Sequence, residues 1–196
     1  GGAYTQSNRQ VGPTLRALVD PKKYIPAKAT QIHGIRNEDI DGQPEWPEVA
    51  ARLKTHFDAG PVLCGYNFLN FDGPLIDAEN ARNGIEWGVP RCLDPFLWTY
   101  WKDRGLKSRK LGAVCEHYGV ELSEDRAHTA DADSLATAEL LMAMVLEGVI
   151  PDDVEQAFEE QNRISAFVER EFERFGRFLY EDRADGTIRV GLGKHC

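Results

Sequence analysis

The stretch Val62-Leu63-Cys64-Gly65-Tyr66-Asn67-Phe68-Leu69-Asn70-Phe71-Asp72 runs from a strand signal into a helix start, and the layout of the chain follows from it. Val62 to Tyr66 is a short apolar run, the mark of a strand buried in a sheet. A helix then spans about Gly73 to Arg82 and stops at Gly84. The same alternation recurs on both sides. Pro47 opens an earlier helix, where its fixed φ suits the first turn; Val49, Leu53 and Phe57 form its apolar stripe and Gly60 follows its end. Arg91-Cys92-Leu93-Asp94 is the next apolar run and leads into Pro95–Trp101. Leu111–Tyr118 reads as a short helix ended by Gly119. Ala130–Leu146 reads as a longer one, with Leu135, Ala138, Met142 and Val145 on one face. Helices alternating with short apolar strands predict an α/β sheet with parallel crossovers. Ala3–Gln6 and Thr14–Val19 read as an opening hairpin added to that sheet, and Pro21–Asp41 as a long irregular segment of the kind that often carries function.

The character changes after Ile150-Pro151. Asp152–Phe175 has the spacing of one long amphipathic helix. Phe178-Leu179-Tyr180 and Thr187-Ile188-Arg189-Val190 flank Asp185-Gly186, a hairpin signal. The expected organisation is therefore a domain over residues 1–150, then a helix and hairpin over 151–196 that open a small C-terminal module.

Composition bounds the function. With 196 residues, 42% hydrophobic and 28% charged, the chain suits one soluble domain with a small appendage. No apolar run reaches the roughly 20 residues of a membrane span, so a cytoplasmic location is the default expectation and a membrane partner is not expected. The four cysteines, Cys64, Cys92, Cys115 and Cys196, form no C-x-x-C pair and read as reduced thiols. A net charge of −9 argues against extensive non-specific grip on duplex phosphates, but not against an enzyme that handles a few terminal nucleotides.

Two acids stand where α/β sites assemble. Asp72 follows a strand and opens a helix, at the carboxyl edge of the sheet. His128-Thr129-Ala130-Asp131-Ala132-Asp133 sits at a loop-to-helix junction. On a regular helix, positions five apart point roughly 140° apart. His128 and Asp133 therefore converge only if His128 precedes the helix, with Thr129 as its N-cap. Two carboxylates from separate elements could share Mg2+ or Mn2+, and an imidazole titrating near neutrality could take a proton from water. Plainer roles compete: Asp72 as an N-cap, Asp131 and Asp133 as partners of the helix dipole, His128 as a solvated loop residue.

Asn67-x-x-x-Phe71-Asp72 resembles the second motif of the DEDDh, or DnaQ-like, 3′–5′ exonucleases. His128-x-Ala130-x-x-Asp133, followed by Ala136-Thr137, resembles their third, and Ile32-His33-Gly34-Ile35 resembles the loop that precedes the second. The likeness covers residues 1–148. It implies a ribonuclease-H-like mixed sheet flanked by helices, two divalent ions (Mg2+ or Mn2+), and release of nucleoside monophosphates from single-stranded or frayed 3′ ends of DNA or RNA, with a DNA polymerase as a candidate partner. By the same resemblance Asp72 and Asp133 are metal ligands and His128 is the general base. His33, Gly34, Ile35, Asn67, Phe68 and Phe71 then face the terminal nucleotide. The family's first motif, Asp-x-Glu on the central strand, has no counterpart: residues 1–19 hold no Asp or Glu. The expectation is a longer parent enzyme whose first strand lies ahead of Gly1, with the stretch from Gly1 onward inactive by itself. The rival is a non-catalytic exonuclease-fold module that binds nucleic acid or a polymerase.

Other features rank below these. Lys102, Arg104, Lys107, Arg109 and Lys110 could track a phosphate backbone or form a solvated linker. Phe71 and the Trp87, Trp98 and Trp101 group read as core. The tail from Phe178 resembles the small module that follows the catalytic domain of exonuclease-X-like proteins.

Overall fold

The computed structural model describes residues 17–60, 62–103, 105–122, 130–175, 180–182 and 188–190. The expected opening hairpin lies almost wholly outside these residues; Ala17, Leu18 and Val19 are described and are not strand. Helices dominate. In chain order they are α1 (Ala27–His33), α2 (Asn37–Ile40), α3 (Trp46–Asp58), α4 (Asp72–Arg82), α5 (Pro95–Trp101), α6 (Leu111–His117), α7 (Ala130–Leu146) and α8 (Val154–Phe175). The strands are β1 (Leu63–Cys64), β2 (Cys92–Leu93), β3 (Tyr180–Asp182) and β4 (Ile188–Val190).

Among the described residues the mixed sheet expected from the sequence is reduced to one parallel pair. Leu63 lies opposite Cys92 and Cys64 opposite Leu93, a βαβ unit with α4 in the crossover. Both strands are cut short by identifiable residues. After Cys64 the last ladder bond runs from the Gly65 N–H to the Leu93 carbonyl (3.1 Å), and Asn67 then turns into the left-handed region at φ 58°. After Leu93, Asp94 caps α5 and Pro95 has no N–H to give. Asp20 and Glu45 make one isolated parallel bridge, clipped by Lys22, which reaches both carboxylates. The C-terminal hairpin forms as expected, with β3 antiparallel to β4 and Glu181 opposite Arg189.

Pro21–Asp41 is not irregular throughout. Pro26, with φ already at −64°, precedes the helix formers Ala27, Lys28 and Ala29, and α1 runs on to a left-handed Gly34. Asp39 accepts from the Arg36 N–H (2.7 Å) to start α2, and Asn37 fastens the segment to both backbone groups of Ile25. Both prolines of the segment, Pro21 and Pro26, precede α1 rather than interrupt a helix, which is why their number misleads.

One core gathers Leu93, Trp98, Val114, Leu140, Met144, Ile150, Phe158, Ile164 and Val168. Burying each large aliphatic side chain here stabilises the fold by roughly 1.5–3 kcal/mol. α8 belongs to this core through Ala157, Phe158, Ile164 and Val168, at the spacing of a helix face. α7 buries Ala136, Thr137, Leu140 and Met144. The face expected from the sequence is not the buried one: Leu135 is 41% exposed and Ala138 is exposed. Apolar residues ring this helix almost completely, so its pattern selects no face. Trp98 is core as expected, while Trp101 is 39% exposed and stacks edge-on with Phe167. No helix among the described residues is long and apolar enough to cross a membrane.

Candidate functional site

The site begins where β1 ends. From Gly65 the chain makes a tight turn over Phe68–Asn70 and enters α4 at Asp72. Phe68 is the wedge of this turn. Its ring covers Gly65 and Gly73, and a methyl group on Gly65 would stand 2.6 Å from the Phe68 Cβ. Glycine is required there for space. Asn70 Nδ2 donates to Asn67 Oδ1 (3.0 Å), and the Phe71 N–H closes the turn on the Phe68 carbonyl (3.2 Å). Asp72 is therefore delivered in the first turn of α4, with Phe71 in the N-cap position. The plain reading of Asp72 as a cap does not hold. Asp72 is exposed as a residue, yet partial burial of its carboxyl group lifts its pKa, against a smaller downward pull from its own N–H. Phe71 is 55% exposed, so the expectation that it packs in the core is corrected: it takes the N-cap position of α4, at φ −129° and ψ −71°, with its ring outward.

What holds the turn is Asp94, a residue the sequence reading passed over. It is fully buried at the end of β2. Its carboxylate accepts the N–H groups of Asn67 (2.8 Å), Leu69 (3.1 Å) and Phe96 (3.2 Å). Burial raises its pKa to about 6, with these N–H bonds pulling the other way. Its own N–H donates to Gln161 Oε1 (2.7 Å), and Gln161 Nε2 donates to the Cys92 carbonyl (2.9 Å). Two sequence signals could have found this pair. Asp-Pro after an apolar run is an N-cap followed by an N1 proline. Gln161 interrupts the apolar stripe of α8 between Phe158 and Ile164.

The acid of the third motif, Asp133, sits in the first turn of α7. That helix packs on β1, where the Cys64 thiol lies 3.9 Å from the Thr137 carbonyl, and Thr137 Oγ1 donates to the Asp133 carbonyl (2.7 Å) one turn earlier. Asp133 is half-buried, and its charge adds to burial in raising the Cys115 thiol to about 11. Asp72 acts in the same sense on Cys92, after burial, Cys64 and Asp94. Burial also lifts Cys64 to about 12. These free thiols are protonated at neutral pH and are neither nucleophiles nor ready ligands. His128 lies outside the described residues. His33 closes the C-terminal end of α1, where its Nδ1 accepts from the Ile35 N–H (3.0 Å), and the Ile35 carbonyl accepts from Thr30 Oγ1 (2.8 Å). Beside the turn, the Tyr66 hydroxyl donates to the Arg109 carbonyl (2.7 Å), Arg109 rests 4.4 Å above the Tyr100 ring, and Lys102 pairs with Glu160 (3.4 Å). Part of the basic cluster is thus spent on internal contacts; Lys107 and Lys110 are exposed, and Arg104 lies outside the described residues.

Asp72 and Asp133 offer carboxylate oxygens, the donor type that hard divalent cations take. Among the described residues no three His, Cys, Asp or Glu side chains gather into a metal cage. A cavity of about 570 Å3 lies between α4 and the segment around Lys22, and none of Asp72, Asp94 or Asp133 lines it.

The Exonuclease family model (RNase_T) matches residues 2–141. The chain belongs to the DEDDh, or DnaQ-like, exonuclease family. Membership implies the ribonuclease-H-like α/β fold, and members are generally dependent on divalent metal. Among relatives, the exonuclease CP81 of Escherichia phage 186 is 31% identical over 147 residues, covering 68% of this chain and 74% of that protein. The PolC-type DNA polymerase III of Ureaplasma parvum is 28% identical over 147 residues, covering 74% of this chain but 10% of that protein. The 3′–5′ exonuclease DinG of Bacillus subtilis is 27% identical over 142 residues, covering 71% of this chain and 14% of that protein. The chain thus spans about a tenth of the length of the polymerase relative. α8 begins after the matched span ends.

Proposed function

We propose that the protein is a 3′–5′ exonuclease that hydrolyses phosphodiester bonds at single-stranded or frayed nucleic-acid 3′ ends with two Mg2+ or Mn2+ ions. The observation that carries this reading is Asp72, presented in the first turn of α4 at the carboxyl end of β1, inside a chain whose family match runs through Asp133. Bound there, divalent ions would activate the attacking water and stabilise the leaving oxygen. Asp72 and Asp133 supply oxygen ligands. His128 takes the proton of the attacking water as it adds to phosphorus, and the strand leaves with a free 3′-OH as a nucleoside 5′-monophosphate is released. His33, Gly34, Ile35, Asn67, Phe68 and Phe71 contact the terminal nucleotide in this reading. The exposed Phe71 ring offers a stacking face to a terminal base, whereas Phe68 acts by holding the turn. The names of the polymerase relatives favour DNA as the substrate and a DNA polymerase as a partner. They give no support to a purely binding module.

The test uses the full-length protein and an oligonucleotide labelled at its 5′ end. A ladder shortened one nucleotide at a time, abolished by chelator and reduced by roughly 10²–10⁴ in His128→Ala, supports the assignment. An undiminished ladder in His128→Ala removes His128 as the base.

A further inference from the structure

We propose that Asp94 and Gln161 are positioning residues for the metal-binding acid Asp72, so that α8, beyond the family-matched span, is part of the active-site scaffold.

The inference rests on the reading of Asp72 as a metal ligand, and its own warrant is a continuous set of buried and part-buried hydrogen bonds. Among the described residues no hydrogen bond between the Asp72 carboxylate and another residue fixes the turn before it. The turn is fixed from below. Asp94 is fully buried and takes the N–H of the left-handed Asn67 at 2.8 Å and that of Leu69, two residues on, at 3.1 Å. A third N–H, from Phe96, ties the same carboxylate to the start of α5. Charge-assisted bonds of this kind are about twice as strong as neutral ones, and a buried acceptor with three donors defines one geometry. Asn67 has a positive φ without being glycine, a conformation that persists when its surroundings over-determine it.

Gln161 fixes Asp94 in turn. It is 4% exposed, and it meets both backbone groups that would otherwise end β2 unsatisfied: the N–H of Asp94 and the carbonyl of Cys92. A buried glutamine that spends its amide on two backbone groups of a strand end is costly to place unless those groups need it. An apolar residue at this point of the α8 stripe would pack as well and leave both orphaned. Arg91 adds an outer tie to α8, bidentate to Glu155 and 4.2 Å above the Phe158 ring. The path from α8 to the acid is thus Gln161, Asp94, the backbone of Asn67 and Leu69, and then Asp72.

The experiment follows amide exchange by NMR and Mn2+ binding by calorimetry in the full-length protein, comparing wild type with Gln161→Met, Asp94→Asn and Asp72→Asn. Gln161→Met keeps side-chain volume and Asp94→Asn keeps one acceptor oxygen, and each serves as the test if the other fails to fold. Both are expected to speed exchange of the Asn67 and Leu69 amides and to weaken Mn2+ binding about tenfold, with Leu140 in α7 protected as in wild type. Wild-type protection at Asn67 and Leu69 in both variants overturns the proposal. So does loosened exchange with Mn2+ affinity unchanged, where Asp72→Asn does lose Mn2+. Equal Mn2+ binding by wild type and Asp72→Asn instead sinks the metal-ligand reading, and the amide exchange still reports whether Asp94 and Gln161 hold the turn.

Discussion

Replacing Gly65 with alanine tests the construction of the turn through a single methyl group. An ideal Cβ there lies 2.6 Å from the Phe68 Cβ and 2.8 and 2.9 Å from its ring carbons. These separations fall well inside van der Waals contact at roughly 3.5–4.0 Å. The φ of Gly65 is not in the left-handed region, so space alone is at issue. Phe68 cannot move freely away. Its ring is also within 3.3 Å of the Cβ position at Gly73, and the flanking amides at Asn67 and Leu69 are fixed on Asp94. Overpacking of this kind costs roughly 1–3 kcal/mol. For a domain of this size about 1 kcal/mol corresponds to a drop of about 2–4 °C in Tm. Thermal melts and urea titrations of Gly65→Ala should therefore show a loss of about 2–12 °C. The partner variant Phe68→Ala should recover part of it, because it removes the two ring carbons of the contact while keeping the Cβ. A Gly65→Ala protein with wild-type Tm, or full additivity with Phe68→Ala, would refute the wedge.

Asp94 gives a pH test with a definite sign. Its carboxyl titrates near 6 in the folded chain against an unfolded value of 3.8, so the folded state holds its proton more tightly between these limits. Its contribution to stability is then largest at low pH and falls by about 3 kcal/mol as pH rises through that window. Urea midpoints at several pH values should show Asp94→Asn relieved of this decline; parallel pH profiles for variant and wild type would contradict it. Ile164→Ala in α8, at 2% exposure, should cost about 2–5 kcal/mol by denaturant titration if α8 is core, and well under 1 kcal/mol if it is a loose appendage. Glu155→Gln breaks an ion pair whose side chains are 62% and 64% exposed, and its melting curve should overlay that of wild type.

Much of this layout is legible in the amino-acid order, and the exceptions have physical causes. Ala130–Leu146 has the ends expected of it because Gly148 punctuates it. α8 starts at Val154 rather than Asp152 because Asp153 Oδ1 accepts from the Gln156 N–H (2.9 Å) and so takes the cap. α1 and α2 are concealed because proline marks an edge but does not say on which side the helix lies. The buried face of α7 is concealed because apolar residues surround it. Asp72 stands out in the sequence because it belongs to a spaced motif. Asp94 does not, since its role comes from three backbone N–H groups, two of them some 25 residues away in the chain. Gln161 is further removed, 67 residues from Asp94, and only the packing of α8 on β2 brings them together.

The central claim is that Asp72 and Asp133 serve one metal centre. Anomalous diffraction from Mn2+-soaked crystals of the full-length protein tests it most directly. The account predicts a manganese peak within coordination distance of carboxylate oxygens from both residues, roughly 2.0–2.3 Å. A peak held elsewhere, with the two carboxylates facing different solvent-exposed surfaces, would contradict it.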